Sequence, residues 1–413
     1  MPAATDHRLE PKPDWMTRAE TRAVMAALAA AGPAPRFVGG CVRNALLGRP
    51  VEDIDIATPL SPDAVIQALE AARIKAVPTG IAHGTVTAVA GHRPFEITTL
   101  RVDVETHGRH ATVAFTDDWE ADAARRDFTM NALSAETDGT IHDYFGGIED
   151  ARAGRVRFVG DAARRIVEDY LRILRFFRFY AHFGRTPPDA ATLAAIRGHV
   201  GGLDRLSGER LRQELKKLLS APEPVPACRL MADTGAAEAV LGEAAFDAAG
   251  GLDRLAALTG LEPEPDWVRR LAALIIADPE VAVARADRLR LSKVETRRLT
   301  ALAAPPPPLP RDADARALRA WLYRQGRDSR DRLLLLLADA PADDPRRALV
   351  PEAMAWEAPK LPLTGRDAHN AGVPPGPAVG EALRAVEDWW IDGDFAPDRE
   401  SCLEELRRRA RSS

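Results

Sequence analysis

The sequence predicts an α+β chain, with a mixed head at its N-terminal end and an all-helical remainder. Three observations carry that expectation. Runs rich in Val, Ile, Thr and Phe at residues 53–57, 85–90, 95–100 and 156–159 read as strands. Helical stretches at 18–31, 42–47 and 62–72 interrupt them, as in a small mixed sheet with helices. After residue 160 the strand-like runs stop and near-helical apolar spacing takes over.

At 413 residues the chain is too long for one compact core, so two to four domains in series are expected. Hydrophobic residues at 46% and charged residues at 28% fit an ordered soluble protein and not a disordered one. The net charge of −5 offers no general attraction for a polyanion, so contact with nucleic acid would need a local basic stripe. Cys41, Cys228 and Cys402 are far apart and form no CxxC pair, the usage of a reduced cytoplasmic protein without structural zinc. The first fifteen residues lack the apolar segment of a secretory signal, and no stretch is apolar enough for a membrane span.

Asp161 is a candidate N-cap, and Ile166, Leu171, Leu174, Phe177 and Phe179 continue one helical pattern until Gly184 stops it. Further helices are expected at 206–219, 227–232, 267–276, 283–289 and 293–304. The run 305–310, five prolines and a leucine, reads as a stiff linker or domain seam. A last helical region follows, with a Gly/Pro-rich turn at 372–380. The expected domains are a head at 1–160, a neck at 161–225, a body at 226–304 and a tail at 311–413.

The chemistry begins at Gly39-Gly40-Cys41-Val42-Arg43. Phe37-Val38 reads as a strand, so the two glycines fall at a strand-to-helix turn, where backbone can approach a phosphate closely. Arg43 adds a cation in the first helical turn. Asp53-Ile54-Asp55 follows. In a strand, residues two apart share a face at about 6–7 Å. Two carboxylates held so, between apolar neighbours, suit a pair of Mg²⁺ ions about 3.5–4 Å apart. One ion would activate an attacking 3′ hydroxyl and the other would screen a triphosphate.

Gly-Gly-x-Val-Arg followed by Asp-x-Asp resembles motif A of the polymerase-β-like nucleotidyltransferase superfamily, in its class II CCA-adding and bacterial poly(A) polymerase branch. The resemblance implies a polymerase-β-like head with a small mixed sheet, then an all-α neck, body and tail. Asn44 departs from it, since the family has Asp after the arginine; that bears on a salt bridge to Arg43 and not on the metal pair. The resemblance also implies a third carboxylate from a neighbouring strand. Glu96, between apolar Phe95 and Ile97, is the candidate, with a surface strand glutamate as the alternative.

Arg125-Arg126-Asp127-Phe128-Thr129-Met130-Asn131-Ala132 is similar to motif B. Guanidinium forks grip triphosphate oxygens, and Asp127 with Asn131 at i, i+4 share a face if the segment is helical. His142-Asp143-Tyr144-Phe145-Gly146-Gly147 resembles motif C, a hinge; a metal phosphohydrolase reading fails for want of further ligands. Glu168-Asp169-Tyr170-Leu171-Arg172-Ile173-Leu174-Arg175-Phe176-Phe177-Arg178 is like motif D. Cytosine and adenine both show an exocyclic amine beside a ring-nitrogen acceptor. A carboxylate (Asp169) accepts from the amine and a guanidinium (Arg172) donates to the nitrogen. Uracil and guanine show the opposite pattern, and mispaired buried charge is costly. The protein would then act as its own template. The alternative is an ordinary helical ion pair.

Phe176, Phe177, Phe179, Tyr180 and Phe183 read as neck core. Ser207 to Glu214 resembles motif E, to which no chemistry is assigned. The polar run from Arg101 to Phe115, with Gly108 near its centre, matches the family's flexible loop at full length. Residues 96–179 look especially like the CCA-adding enzymes of mitochondria and alphaproteobacteria. In the tail, Gly turns at 363–367, with Arg366, and at 376–380 either meet RNA phosphates or simply cap helices.

The resemblance thus implies nucleotidyl transfer from CTP and ATP to a tRNA 3′ end. Asp53 and Asp55 would hold Mg²⁺, with Glu96 beside them. Gly40, Arg43, Arg126 and Arg175 would cradle phosphates, and Asp127, Asn131 and Arg178 would complete the nucleotide site. A poly(A) polymerase shares these motifs, but the basic signature expected after Asp55 in that branch is missing. A catalytically inactive RNA-binding protein on the same scaffold is the other rival.

Overall fold

The computed structural model describes residues 7–412 except 82–83, 108–109, 243–245, 247–249 and 276–277. The chain divides into two compact units, Met1–Glu243 and Ala244–Ser413. The first opens with helices α1 (Asp14–Thr17) and α2 (Ala19–Ala31), strand β1 (Arg36–Val38), helix α3 (Gly40–Leu46), strand β2 (Asp55–Thr58) and helix α4 (Pro62–Ala71). Strands β3 (Lys75–Gly80), β4 (Thr85–Ala90), β5 (Arg93–Thr99), β6 (Arg101–His107) and β7 (His110–Phe115) follow. Helix α5 (Trp119–Ala124), strands β8 (Ser134–Ala135) and β9 (Ile141–His142) and helix α6 (Gly147–Ala153) complete the head.

Seven strands form one mixed sheet in the order β3-β4-β5-β2-β1-β8-β9, and β6-β7 make a separate hairpin. The pair β2–β5 is parallel; the other neighbours are antiparallel. Alternation assigns the two faces of the sheet. Ile56, Val86, Phe95 and Ile97 are buried in one core with Val24, Leu28, Val65 and Leu69 of α2 and α4. Asp55, Glu96 and Thr98 stand on the opposite face and line a cleft.

Beyond the head lie α7 (Ala162–Glu168), α8 (Leu171–Phe183), α9 (Ala190–His199), α10 (Gly208–Leu219), α11 (Val225–Thr234) and α12 (Ala236–Leu241). Asp161 caps α7, accepting from Arg164 N at 2.7 Å. The single helix expected from 161 to 184 is broken: Asp169 is extended at φ −154°, and its Oδ1 accepts from Leu171 N at 3.1 Å, so it starts α8. The strand expected at 156–159 is only an isolated bridge between Phe128 and Phe158, because the chain after Phe128 curls into a 3₁₀ turn over Thr129–Asn131. That bridge still matters. Phe128 packs within 4.9–6.3 Å of the Phe158, Phe176 and Phe179 rings, so α8 is held against the turn that carries Asp127 and Asn131.

Phe128 is 0% exposed, and Phe128→Ala is expected to destabilise the protein by about 3–5 kcal/mol. A lowered urea midpoint followed by near-ultraviolet circular dichroism checks this; an unchanged midpoint would show that the aromatic cluster does not hold the two elements together.

The expected boundary at 225 does not separate compact units, since α11 packs on α8 and α12 on α11. The second unit consists of α13 (Gly251–Thr259), α14 (Trp267–Leu274), α15 (Pro279–Arg288), α16 (Lys293–Ala303), α17 (Ala315–Gln325), α18 (Ser329–Ala338), α19 (Val350–Ala355), α20 (Gly365–Asn370), α21 (Pro377–Asp392) and α22 (Arg399–Ser412). The far end of the helix expected at 267–276 lies outside the described residues. The prolines at 305–310 do not separate distinct bodies: α13 and α14, before them, pack on α18 beyond them. Leu309 is buried, and Pro307 O accepts from Trp321 Nε1 at 3.1 Å.

Candidate active site

Asp55 of β2 stands directly opposite Glu96 of β5. Parallel neighbours lie about 4.8 Å apart, so the two carboxylates sit side by side while Ile56 and Ile97, both 0% exposed, point into the core. Glu96 thus lies on the strand neighbouring Asp55, where it is expected. The strand begins later than expected. Its ladder opens where Ile54 O accepts from Glu96 N at 3.3 Å, which leaves Asp53 exposed just ahead of β2. Burial first, then the Glu96 charge, push the Asp55 carboxyl up to about 6; Arg126 opposes the shift and Asp53 adds to it. A pocket that disfavours ionised carboxylates in this way favours a cation. Among the described residues no three carboxylate, His or Cys side chains are gathered closely enough to hold an ion by themselves.

The Asp55 shift is also a stability statement. The folded state keeps the Asp55 proton to about pH 6, against an ordinary value of 3.8. Stability is therefore lost as pH rises through that window, by at most about 3 kcal/mol. Asp55→Asn should raise the metal-free melting temperature at pH 8 and leave it unchanged at pH 4. Thermal unfolding in chelator at both pH values checks this, and an equal gain at the two would contradict it.

Gly39 has φ +69°, and a Cβ there would lie 3.1 Å from Arg126 Nη1. A side chain would be strained by both backbone and neighbour, which explains glycine at the turn into α3. Arg43 is 8% exposed. Its Nε and Nη2 donate to Asn44 Oδ1 at 3.1 and 2.9 Å, and its Nη1 donates to Asn131 Oδ1. Asn44 thus keeps hydrogen bonds to Arg43 without the charge of an aspartate, and its Nδ2 donates to Pro50 O at 3.0 Å. Burial above all lowers the Arg43 pKa to about 10.

Arg125 and Arg126 share one buried acid. Asp122, 4% exposed, accepts from Arg125 Nε at 2.9 Å, Arg126 Nη2 at 3.1 Å and Arg101 N at 3.2 Å. Burial would raise its pKa, but Arg126 and Arg125 hold it below the ordinary value. Asp127 and Asn131 do meet, with Asn131 Nδ2 donating to Asp127 Oδ1 at 3.0 Å. They do so across a 3₁₀ turn and not on the α-helical face expected. The other oxygen of Asp127 accepts from Arg175 Nε at 2.8 Å, and that arginine overcomes burial to keep the carboxyl low.

The residues of α8 divide differently from expectation. Asp169 and Arg172 both line the cleft but have separate charge partners. Asp169 Oδ2 accepts from Arg210 Nη2 at 2.7 Å. Arg172 Nη1 bonds Glu168 and donates to Arg165 O at 2.8 Å. Arg175 faces the cleft. Arg178 does not line it; its Nε lies 2.7 Å from Glu214, out of line for a hydrogen bond. The correction is geometric. Steps of three residues turn a helix by about 300°, so the face drifts and the last arginine leaves the cleft.

The cleft encloses about 650 Å³ and draws on Gly39, Gly40, Asp55, Glu96, Arg126, Asp127, Asn131, Asp169, Arg172, Arg175 and Phe179. Its wall includes seven arginines (43, 101, 125, 126, 172, 175, 210) against four carboxylates (55, 96, 127, 169). This is the local basic surface that a chain of net charge −5 needs to meet a polyanion. Two participants are not expected from the motifs. Asp122 carries no motif of its own. Arg210 has a legible signal: it sits in the first turn of α10, where the helix dipole disfavours a cation, so an acidic partner is called for.

The remaining motifs serve the fold. Asp143 caps α6, accepting from Gly147 N at 2.8 Å and Ile148 N at 2.9 Å, and His142 bonds Glu136 at 2.7 Å. The run from Arg101 to Phe115 is the β6–β7 hairpin; Gly108 and Arg109 lie outside the described residues. In the tail, Thr364 and Asp367 form a capping box for α20, and Asp367 is bridged to Arg399, so helix capping accounts for that turn.

The comparisons agree with this geometry. The family model described as the poly A polymerase head domain matches residues 35–157, and one described as a probable RNA and SrmB-binding site of polymerase A matches 188–247. The mitochondrial CCA tRNA nucleotidyltransferase 1 of Danio rerio is 35% identical over 383 residues, covering 90% of this chain and 86% of that protein. The CCA-adding enzyme of Limosilactobacillus fermentum is 31% identical over 390 residues, covering 92% and 94%. The crystal structure of the Bacillus stearothermophilus CCA-adding enzyme in complex with CTP superposes with a TM-score of 0.75 at 29% identity, covering 95% of this chain and 97% of that one. From its motifs, its fold and this similarity along nearly its whole length, the chain belongs to the CCA tRNA nucleotidyltransferase family.

Proposed function

We infer that this chain adds C and then A to the 3′ end of tRNA, using CTP and ATP and releasing pyrophosphate. The observation that carries the reading is that one arginine-lined cleft brings the paired carboxylates of β2 and β5 together with Asp169 and Arg172. The primer 3′ oxygen forms a bond to the α-phosphorus, and the bond from that phosphorus to the β-phosphate bridging oxygen breaks.

Asp53 and Asp55 are the residues to hold Mg²⁺, with Glu96 as the third carboxylate. When bound, the ions supply acidity to the attacking hydroxyl and neutralise triphosphate charge. Arg126 and Arg175 present guanidinium forks to the phosphates beside the Gly40 backbone. Arg43 has two of its five N–H groups left after three are spent on Asn44 and Asn131. Asp127 and Asn131 orient the ribose. Asp169 accepts from the base amine and Arg172 donates to the ring nitrogen, while Arg210 keeps the Asp169 carboxylate in place. Arg178 acts at one remove, through Glu214, which also approaches Arg175 at 3.9 Å.

The proposed roles follow a catalytic head (1–160), a base-reading neck (161–225), a helical body (226–304) and an RNA-binding tail (311–413). No helix among the described residues is long and apolar enough to cross a membrane, and the three cysteines are free and buried. We place the activity in a reducing, cytoplasmic compartment. Purified protein given labelled CTP alone and tRNA lacking its CCA end tests the function: incorporation is expected. A poly(A) polymerase would ignore CTP, and an inactive scaffold would release no pyrophosphate.

A further inference from the structure

Beside the cleft, sharing Arg43 and Phe179 with it, lies a second cavity of about 190 Å³, lined by Arg43, Arg178, Phe179, His182 and Phe183. Two further arginines close on this place. The Arg49 guanidinium stands 4.5 Å from the centre of the Phe183 ring, and Arg43 stands 4.3 Å from the same ring. Arg185 follows directly on α8, its backbone N fixed to Gly154 O at 2.8 Å. Arg43 and Arg49 therefore flank the Phe183 ring, Arg178 lines the cavity over Phe179, and the Arg185 charge bears on Arg49. Glu214 touches Arg178, but neither Arg49 nor Arg185 has a side-chain hydrogen bond or carboxylate partner among the described residues.

The local sequence keeps this charge unneutralised. Asn44 accepts from Arg43 where a carboxylate of the same shape would cancel its charge. Burial, and after it the Arg185 charge, lower the Arg49 pKa. Burial lowers the His182 pKa as well; the hydrogen bond to Lys217 O at 3.0 Å opposes this, and Arg178, Arg49 and Arg43 add to it. Four like charges assembled with two counter-charges, Glu214 and Asp127, are relieved when an anion arrives. Guanidinium forks stacked on aromatic faces match phosphate oxygens, and the cavity has room for a single phosphoryl group.

We propose that Arg49 and Arg185, with Arg43 and Arg178 behind them, form a phosphate subsite that takes either a phosphodiester of the RNA primer or the departing pyrophosphate. The proposal rests on the reading that this chain transfers nucleotides to RNA. The test is the double variant Arg49→Ala/Arg185→Ala, with melting temperature as the check on folding. Anisotropy of labelled tRNA lacking its CCA end measures RNA affinity without turnover, and inhibition of CTP incorporation by added pyrophosphate measures the other source.

If the phosphate is the primer's, RNA affinity falls about tenfold and the slope of log affinity against log salt becomes shallower by about 1. The KM for CTP and the pyrophosphate inhibition stay unchanged. If it is the product's, pyrophosphate inhibition weakens and RNA affinity is unmoved. A folded double variant that changes neither overturns the subsite. A wild-type chain that binds tRNA yet incorporates nothing fails the functional reading and leaves the binding comparison standing.

Discussion

Asp55→Ala is expected to lose nucleotide incorporation by about a thousandfold or more while keeping its fold and its affinity for tRNA. The magnitude follows from the position. A carboxylate that helps hold a catalytic cation accounts for several kcal/mol of transition-state stabilisation, and each 1.36 kcal/mol is a factor of ten in rate. The fold should survive because burial and the Glu96 charge, which disfavour the ionised form of Asp55, outweigh the favourable Arg126 charge. The same variant with excess CTP and Mg²⁺ should remain slow, since the loss is in kcat. Steady-state incorporation of labelled CTP, with circular dichroism on the same sample, reads both quantities. Activity within tenfold of wild type would mean that the metal lies elsewhere.

The second large effect is on base choice. Asp169→Asn replaces an acceptor-only group with one that also donates, and an amide N–H can meet the carbonyl of uracil where a carboxylate repels it. Each mispaired buried polar group costs about 1–3 kcal/mol, so discrimination between CTP and UTP should fall by about 10–100-fold. Loss on CTP combined with gain on UTP separates a base-reading role from a structural one. Arg210→Ala should move in the same direction but less, because it frees the Asp169 carboxylate that Arg210 holds at 2.7 Å without changing its chemistry. Competition between CTP and UTP at one primer end gives the ratio. Unchanged discrimination in Asp169→Asn would remove Asp169 from the base site.

Much of this site is legible in the sequence because its signals are local. Two glycines before a helix and a glutamate between Phe95 and Ile97 carry their geometry in their spacing; the two aspartates do not, because Asp53 falls ahead of β2. What is not legible depends on contacts between residues far apart in the chain. The register that sets Asp55 beside Glu96 joins residues 41 positions apart. The bond from Arg175 to Asp127 spans 48, and the one from Arg210 to Asp169 spans 41. None has a periodicity to betray it.

Two departures from expectation have local causes. The apolar spacing from Ile166 to Phe179 continues through a helix break, because Asp169 caps α8 without disturbing the hydrophobic stripe on either side. Arg178 shares a three-residue spacing with Arg172 and Arg175, although that spacing does not keep one face over two steps. The prolines at 305–310 have the composition of a seam; burial of Leu309 and the Trp321 hydrogen bond make them an integral piece of the second unit.

On this reading the protein selects its own nucleotides, with no nucleic-acid template. Sequencing the 3′ ends of tRNA lacking CCA, after incubation with CTP alone, ATP alone and both, is the decisive experiment. The expected ends are CC with CTP, no extension of that primer with ATP alone, and uniform CCA with both. Runs of A added by ATP alone, or ends that do not depend on which nucleotides are supplied, would rule that selection out.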